Sequence, residues 1–308
     1  MGSINKIAVL YGGSSSEREV SIQSGMGVHN AICDLGYESD LIDFKDLNNL
    51  YELKIYDFIF IALHGFEGEA GKLQRDLDDL NISYSGSGPE ACMKTWNKKV
   101  TKEILKENNI NTPVSLNISE FSLEVANQSL NTSSFDRLRP FNYLFLKPEE
   151  DGSSIDIFKI SNEDSLKNAY KKCANRKRGF LFEEFIEGRE LTVTIINQEC
   201  FPPIEIVTKN EFYDYDAKYI SDDTLHIQAE LSSDELKDIK SISLDAFNTL
   251  GCKGWARIDL LQDNDGKFYV IEVNTAPGMT AHSNVPKSAG FIGLSYEEVV
   301  QKIIDASI

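Results

Sequence analysis

The chain has 308 residues, with 31 lysines and arginines against 49 aspartates and glutamates, for a formal net charge of −18. That length suits two or three packed domains, and that charge makes nucleic acid and anionic membrane poor partners. It does not exclude ATP, because a few local lysines with a metal ion hold phosphates against a negative average. Five scattered cysteines, Cys33, Cys92, Cys173, Cys200 and Cys252, lack CxxC spacing and predict reduced cytoplasmic thiols rather than a disulfide or zinc framework. The sequence runs almost directly into a strand and has no apolar run approaching about eighteen residues, so neither a signal segment nor a membrane span is expected.

The first ninety or so residues alternate strand and helix, which predicts an α/β unit of parallel strands with helices on both faces. Residues 6–11 are a buried strand, and a Gly/Ser loop then leads into a helix ending near Gly36. That loop, GGSSSERE at 12–19, is neither GxGxxG nor a P-loop. It is expected to be flexible and to present Glu17 at a helix start, where it can pair with an ammonium group or serve as a cap. Residues 39–44 and 56–63 are further strands, followed by a short helix over 73–80 and an extended stretch at 82–84. His64 closes the second of these strands at the carboxyl edge, where open α/β sheets bind ligands. A helix begins at Pro89 and carries Lys98, Lys99 and Lys102.

Residues 115–140, rich in Ser and Asn, predict surface helix and loop. Strand 143–148 ends in Lys147 and opens into a small-residue loop, Gly152, Ser153 and Ser154, whose N–H groups and hydroxyls can cradle an anion. Strand 155–160, helix 163–174 and strand 180–186 complete a small lobe. The string FEEFI at 182–186, with GRE at 188–190, has the character of an interdomain hinge whose backbone can face an adenine edge. Strands follow at 190–196 and 203–208, then a Tyr/Asp-rich loop over 209–228 holding Lys218 and Tyr219, then a helix over 233–250.

The last elements carry the most chemistry. Strands 254–261 and 267–274 form a hairpin with Gly266 in its turn. An even-numbered loop places Arg257, Asp259, Glu272 and Asn274 on one face, because side chains alternate with period two. Two carboxylates and an amide oxygen converging there suit Mg²⁺, which completes its shell with water and phosphate oxygens.

Taken together these strings resemble the ATP-grasp superfamily and, within it, the D-alanine–D-alanine ligase family. The matches are collinear: GGSSSEREVS at 12–21, ALHG at 62–65, YSGSG at 84–88, KP at 147–148, GSS at 152–154, YDYDAKY at 213–219, LGCKGWARID at 250–259, IEVN at 271–274 and PGMT at 277–280. The resemblance implies an ATP-grasp fold with an N-terminal Rossmann-like domain at 1–96, a central lobe at 97–182 and a catalytic domain at 183–308. It also assigns roles to individual residues. Lys98, Lys147 and Ser154 would hold ATP phosphates, Glu183, Glu184, Phe185 and Ile186 would face the adenine, Glu190 the ribose, and Phe212 would flank the nucleotide. Asp259, Glu272 and Asn274 would ligate Mg²⁺, with two ions and Mn²⁺ as a substitute. Glu17 would bind the ammonium of the first D-alanine, linked through Ser153 and Tyr219 to the closing loop, with His64 nearby. Lys218 would act near the γ-phosphate, Arg257 and the Gly278 N–H would stabilise the oxyanion, and Ser283 and Asn284 would meet the second substrate.

The implied activity joins two D-alanines for peptidoglycan precursors in the cytoplasm, with small molecules as partners and a homodimer left open. Asp156, Lys72, Asn284 and Ala281 depart from the family pattern and bear on the acceptor. A sister ligase for D-serine, D-lactate or another amino acid is therefore the alternative, and a silent nucleotide-binding module a third.

Overall fold

The structure, a computed structural model, describes residues 4–130, 143–152, 155–208 and 224–308. β1 (Lys6–Tyr11) pairs in parallel with β2 (Glu38–Asp43) and β3 (Phe58–Ile61), in the order β2-β1-β3. Its inner residues Ile7 to Leu10 are fully buried, as expected of a parallel strand covered on both faces. Alternation divides them. Ile7 and Val9 pack with Val28 and Ile32 of α1 (Arg18–Asp34), while Ala8 and Leu10 pack with Leu73 and Leu77 near the short helices α2 (Phe66–Glu69) and α3 (Lys72–Asp79). The expected strand 56–63 is shorter than its apolar run, and Ile82 to Tyr84 contributes a single parallel bridge, Ile59 to Tyr84.

The helix expected from Pro89 onward is two helices, α4 (Pro89–Trp96) and α5 (Lys98–Glu107). Asn97 breaks them apart: it is extended (ψ 106°), and its Oδ1 accepts from the Val100 N–H as an N-cap. The break lets the Lys98 N–H donate to the Glu149 carbonyl at 2.8 Å, which ties the start of α5 to the loop after β5.

The central lobe is an antiparallel sheet in the order β4-β7-β5-β6, made of β4 (Ser115–Ile118), β7 (Phe180–Glu184), β5 (Leu144–Pro148) and β6 (Phe158–Ile160). Here the expectation of helix and loop across 115–140 fails at its start. Ser115-Leu-Asn-Ile118 is a strand of period two beside β7, and α6 (Leu123–Leu130) follows it. With α7 (Glu163–Lys172), α6 covers the core around Leu146, Phe180 and Phe182.

The third sheet runs β11-β10-β8-β12-β13 and buries one face under α8 (Ser233–Thr249), whose capping box pairs Ser232 with Glu235. Its strands are β8 (Gly188–Ile196), β10 (Ile204–Val207), β11 (Leu225–Gln228), β12 (Trp255–Asp263) and β13 (Phe268–Asn274), with β9 (Glu199–Cys200) hairpinned onto β8. Part of the segment expected as loop is thus strand β11, paired with β10. The chain returns to the first sheet at its end, after α9 (Asn284–Gly290), where α10 (Tyr296–Asp305) packs Val299, Val300 and Ile303 onto β1 and α1. Residues 185–187 join the central sheet to the third one. Among the described residues no helix is long and apolar enough to cross a membrane.

Candidate active site

The acidic hairpin reaches its geometry by a route other than the one expected. The Asp263 N–H donates to the Lys267 carbonyl across a three-residue turn that ends in Gly266 at φ +85°. An odd loop by itself pairs the wrong residues. A β-bulge at Ile271 shifts the register by one, which brings Arg257 opposite Asn274 and Asp259 opposite Glu272 on one face. The face alternates with Ile258 and Val273, both buried in the core beneath.

Arg257 donates twice to Asp259, from Nε to Oδ1 at 2.8 Å and from Nη2 to Oδ2 at 2.6 Å. Thr192 on β8 donates to the same Oδ1 at 2.6 Å. Asn274 Oδ1 accepts from the Ala276 N–H at 3.1 Å, which fixes the amide oxygen beside the carboxylates. Like charges directly opposite on a sheet destabilise it, so the Asp259–Glu272 pair is suited to a cation. Among the described residues no three His, Cys, Asp or Glu side chains gather as a metal site. Two carboxylates and an amide oxygen fit Mg²⁺, whose shell phosphate oxygens would complete.

These residues line one cavity of about 560 Å³ together with Glu17, His64, Lys98, Glu190, Gly278, Ser283 and Asn284. The loop that presents Glu17 is firmly held, contrary to the flexibility expected of it. Arg18 grips Asp43 (Nη1 to Oδ1 3.1 Å, Nη2 to Oδ2 2.5 Å) and the Gly13 carbonyl (2.6 Å), while Glu67 accepts from the Ser14 N–H and hydroxyl at 2.7 and 2.9 Å. Gly13 is required there: its φ is +71°, and a Cβ would stand 2.2 Å from Glu67 Oε2. Glu17 precedes α1 but makes no side-chain cap. Its Oε2 lies 3.2 and 3.0 Å from where β-carbons on Gly65 and Gly152 would stand, so the carboxylate is wedged between the first domain and the phosphate-side loop.

The Arg18 guanidinium holds the Asp43 carboxyl down at about 2 against an ordinary 3.8. A lowered carboxyl contributes stability that is present above pH ~4 and lost as pH falls through ~2. With partial screening this is worth about 1–2 kcal/mol. Asp43→Asn should remove it at neutral pH and flatten the stability curve between those limits. Denaturant unfolding at three pH values checks this, and an unchanged curve removes Asp43 from the account.

His64 is a brace. Its Nδ1 donates to the Ala276 carbonyl at 2.8 Å, and Nε2 lies 3.0 Å from the Ser24 hydroxyl, which in turn accepts from the Met279 N–H at 3.0 Å. Burial lowers its pKa and keeps the ring neutral. His64 lines the cavity as expected of a residue near substrate, and both its nitrogens hold the 276–279 segment that carries Gly278. Ser283 Oγ accepts from the Thr280 N–H at 3.0 Å. Asn284 does not turn into solvent: its Oδ1 accepts from His226 Nδ1 at 2.6 Å, across from β11.

On the phosphate side, Lys98 is only 8 % exposed. Its Nζ donates to the Asp151 carbonyl at 2.6 Å. Arg178 clamps the same loop at both ends, through Asp151 and through Asp156 at 2.7 Å. Asp156 adopts φ +55°, a left-handed backbone that Asp tolerates better than most residues, and its carboxylate accepts from the Ala174 N–H at 2.9 Å. Lys72, another departure, is a surface residue paired with Asp76 at 2.5 Å.

The residues expected to face the adenine stand on β7 and the link after it. Glu183 is ion-paired with Lys147 and buried, and Glu184 accepts from the Val114 N–H at 2.7 Å. Phe185 stacks 4.4 Å from Tyr143, and Ile186 is buried. Ser153, Ser154, Phe212, Lys218 and Tyr219 lie outside the described residues. Three further residues escaped sequence reasoning. Glu69 lines the cavity and accepts from the Gly65 N–H at 2.7 Å, and burial and then the Glu17 charge raise its carboxyl well above the ordinary range. His226 was hidden in a supposed loop, and Lys102 in a run of lysines.

A cavity that joins the first domain, the buried Lys98 with the Asp151–Gly152 loop, and a carboxylate–amide hairpin on an antiparallel sheet has the makings of an ATP-grasp site. Comparisons narrow it. The family profile described as D-ala D-ala ligase C-terminus matches residues 115–305. The chain is 39 % identical to the D-alanine–D-alanine ligase of Actinobacillus succinogenes over 98 % of both chains. The ATP-complexed D-alanine–D-alanine ligase of Bacillus anthracis superposes with a TM-score of 0.83 at 31 % identity, covering 99 % of this chain and 97 % of that one. The VanG D-Ala:D-Ser ligase of Enterococcus faecalis does so at 0.84 and 26 % identity, covering 99 % and 100 %. The chain belongs to the D-alanine–D-alanine ligase family.

Proposed function

We infer that the protein is an ATP-dependent ligase that joins two D-alanines, releasing ADP and phosphate, in peptidoglycan precursor synthesis. The observation that carries this is one shared cavity. It brings Glu17 of the first domain, Lys98 of the central lobe and the Arg257–Asp259–Glu272–Asn274 face together. We propose the three-part division at 1–96, 97–182 and 183–308 because it puts each wall of that cavity on a separate unit.

The proposed chemistry follows from the electrophile. A carboxylate is unreactive toward an amine, so its oxygen first attacks the γ-phosphoryl group of ATP and ADP departs. The amine of the second D-alanine, having lost a proton, then attacks the acyl carbon, and phosphate leaves. Glu17 holds the first ammonium, Lys98 and Lys147 the phosphates, Glu183 to Ile186 the adenine, and Glu190 the ribose. Arg257 and the Gly278 N–H meet the developing oxyanion. Ser283 and Asn284 meet the acceptor. Mg²⁺, or Mn²⁺ in its place, would be held by Asp259, Glu272 and Asn274 and would neutralise charge on the transferring phosphoryl group. Free thiols at all five cysteines suit a reducing cytoplasm. Solution measurement decides between monomer and homodimer.

In a second reading, a hydroxyl-bearing acceptor such as D-serine competes by meeting the amide of Asn284, whose oxygen His226 holds in place. The test is phosphate release from ATP with D- and L-amino acids, singly and in pairs. Release is expected to require D-alanine and to be greatest with D-alanine alone. Preferential use of D-serine as acceptor would support the second reading. No amino-acid dependence at all would overturn both.

A further inference from the structure

Lys102 is a buried cation that the roles above do not use. It lies one turn beyond Lys98 on α5 and is 4 % exposed. It donates to Thr112 Oγ1 at 2.8 Å and the Pro113 carbonyl at 3.0 Å, and it is ion-paired with Glu183 Oε2 at 2.5 Å. Glu183 is therefore shared, with Oε1 on Lys147 from β5 and Oε2 on Lys102 from α5. Glu184 on the same strand is the other charge that acts on Lys102.

Two ammonium groups in contact with one buried carboxylate, and with Glu184 bound to the Val114 N–H beside them, leave a local positive surplus around Glu183 that burial penalises. Burial pulls Lys102 down to about 8. For Glu183, burial works toward the neutral acid, but the two lysines outweigh it and hold the carboxyl below its ordinary value. Such a surplus becomes favourable when a polyanion engages one of the lysines. Lys102 is anchored to Thr112 and Pro113, so Lys147, at the mouth of the phosphate loop, is the one that can be shared. Glu183 then still has a cation and stays ionised.

We propose that Lys102 is a positioning residue for the nucleotide, fixing Glu183 as an ionised acceptor for the 6-amino group of a purine while Lys147 engages the phosphates. The proposal rests on the nucleotide reading of Lys147 and Glu183. Its consequence is base selectivity: an ionised carboxylate accepts from the amino group of adenine and repels the 6-oxo group of guanine.

The test compares Lys102→Met, Glu183→Gln and the double variant for KM with ATP and with GTP, alongside kcat. Lys102→Met should raise KM for ATP about 10- to 100-fold, the worth of one charge-assisted hydrogen bond, and narrow the preference for ATP over GTP. Turnover at saturating ATP should change far less. On the Glu183→Gln background, adding Lys102→Met should have no further effect on KM, because Lys102 acts through Glu183. This second comparison also serves if the single lysine variant fails to fold, since the double variant removes Lys102 together with the Glu183 charge it pairs with and leaves only Lys147, the lysine that ATP engages. An unchanged ATP KM and ATP/GTP ratio in Lys102→Met, or an additive loss in the double variant, overturns the proposal. If Glu183→Gln itself leaves KM for ATP unchanged, the nucleotide reading fails instead.

Discussion

Glu272→Gln is expected to lower turnover by about 10²-fold or more, even at saturating Mg²⁺, while leaving the fold unharmed. Glu272 faces Asp259 directly across the hairpin. In the metal-free protein this is a like-charge contact that Arg257 offsets, through its paired bonds to Asp259. Removing the Glu272 charge relieves that repulsion and leaves the Arg257–Asp259 pair and the Thr192 bond in place. Thermal stability without metal should therefore hold or rise while activity collapses. A residue of purely structural value would behave the opposite way. Asp259→Asn is a harsher version, because it also breaks the pair with Arg257 and sets an amide N–H₂ against a guanidinium. The measurement is phosphate release across a Mg²⁺ titration, with the melting temperature recorded for each variant. Near-normal release by Glu272→Gln at high Mg²⁺ would falsify the hairpin as the metal site.

Strongly periodic or apolar segments were legible in the sequence. β1 and the helix over residues 233–249 stand where their patterns put them, and each owes its limits to local signals such as the Ser232–Glu235 capping box. The misplaced elements failed for identifiable reasons. Ser115 to Ile118 is polar on one face, so its composition suggested loop, and only pairing with β7 makes it a strand. Leu225 to Gln228 has a lone partner strand, β10, and no internal feature to separate it from the polar segment before it. Asn97 divides what looked like one helix because a capping side chain satisfies backbone N–H groups that the preceding helix would otherwise use.

The site was legible through residue type more than through position. Arg257, Asp259, Glu272 and Asn274 share a face as expected, but not through an even-numbered turn: a bulge corrects an odd-numbered one, and no sequence rule announces a bulge. His64 stands at the cavity as its place at a strand end suggested, but its bracing bonds were not legible, because both ring nitrogens are bound to groups far away in the chain. Lys102 and Glu69 show the same limit from the other side. What distinguishes each from an ordinary surface charge is burial by distant segments, which is a property of the fold and not of the neighbouring residues.

Glu17→Gln is expected to raise KM for the first D-alanine by about 10- to 100-fold, the loss of one charge-assisted bond to an ammonium in an enclosed site. The carboxylate stands close to Gly65 and Gly152, but the first domain carries it, whereas the lysines read as phosphate ligands belong to the central lobe. ATP affinity should therefore stay nearly constant. The loop itself should keep its shape, because Asp43 and Glu67 hold it and the Glu17 side chain caps nothing. A second consequence follows at Glu69, whose carboxyl is raised by burial first and by the Glu17 charge next. With glutamine at 17 the second cause disappears, so Glu69 should ionise at lower pH than in the native protein. Amino-acid KM, nucleotide affinity and the pH at which Glu69 titrates, followed by carboxyl-carbon NMR, separate the roles. Loss of ATP affinity with unchanged use of D-alanine would place Glu17 on the nucleotide instead. An unmoved Glu69 titration would show that the two carboxylates are not neighbours in the electrostatic sense.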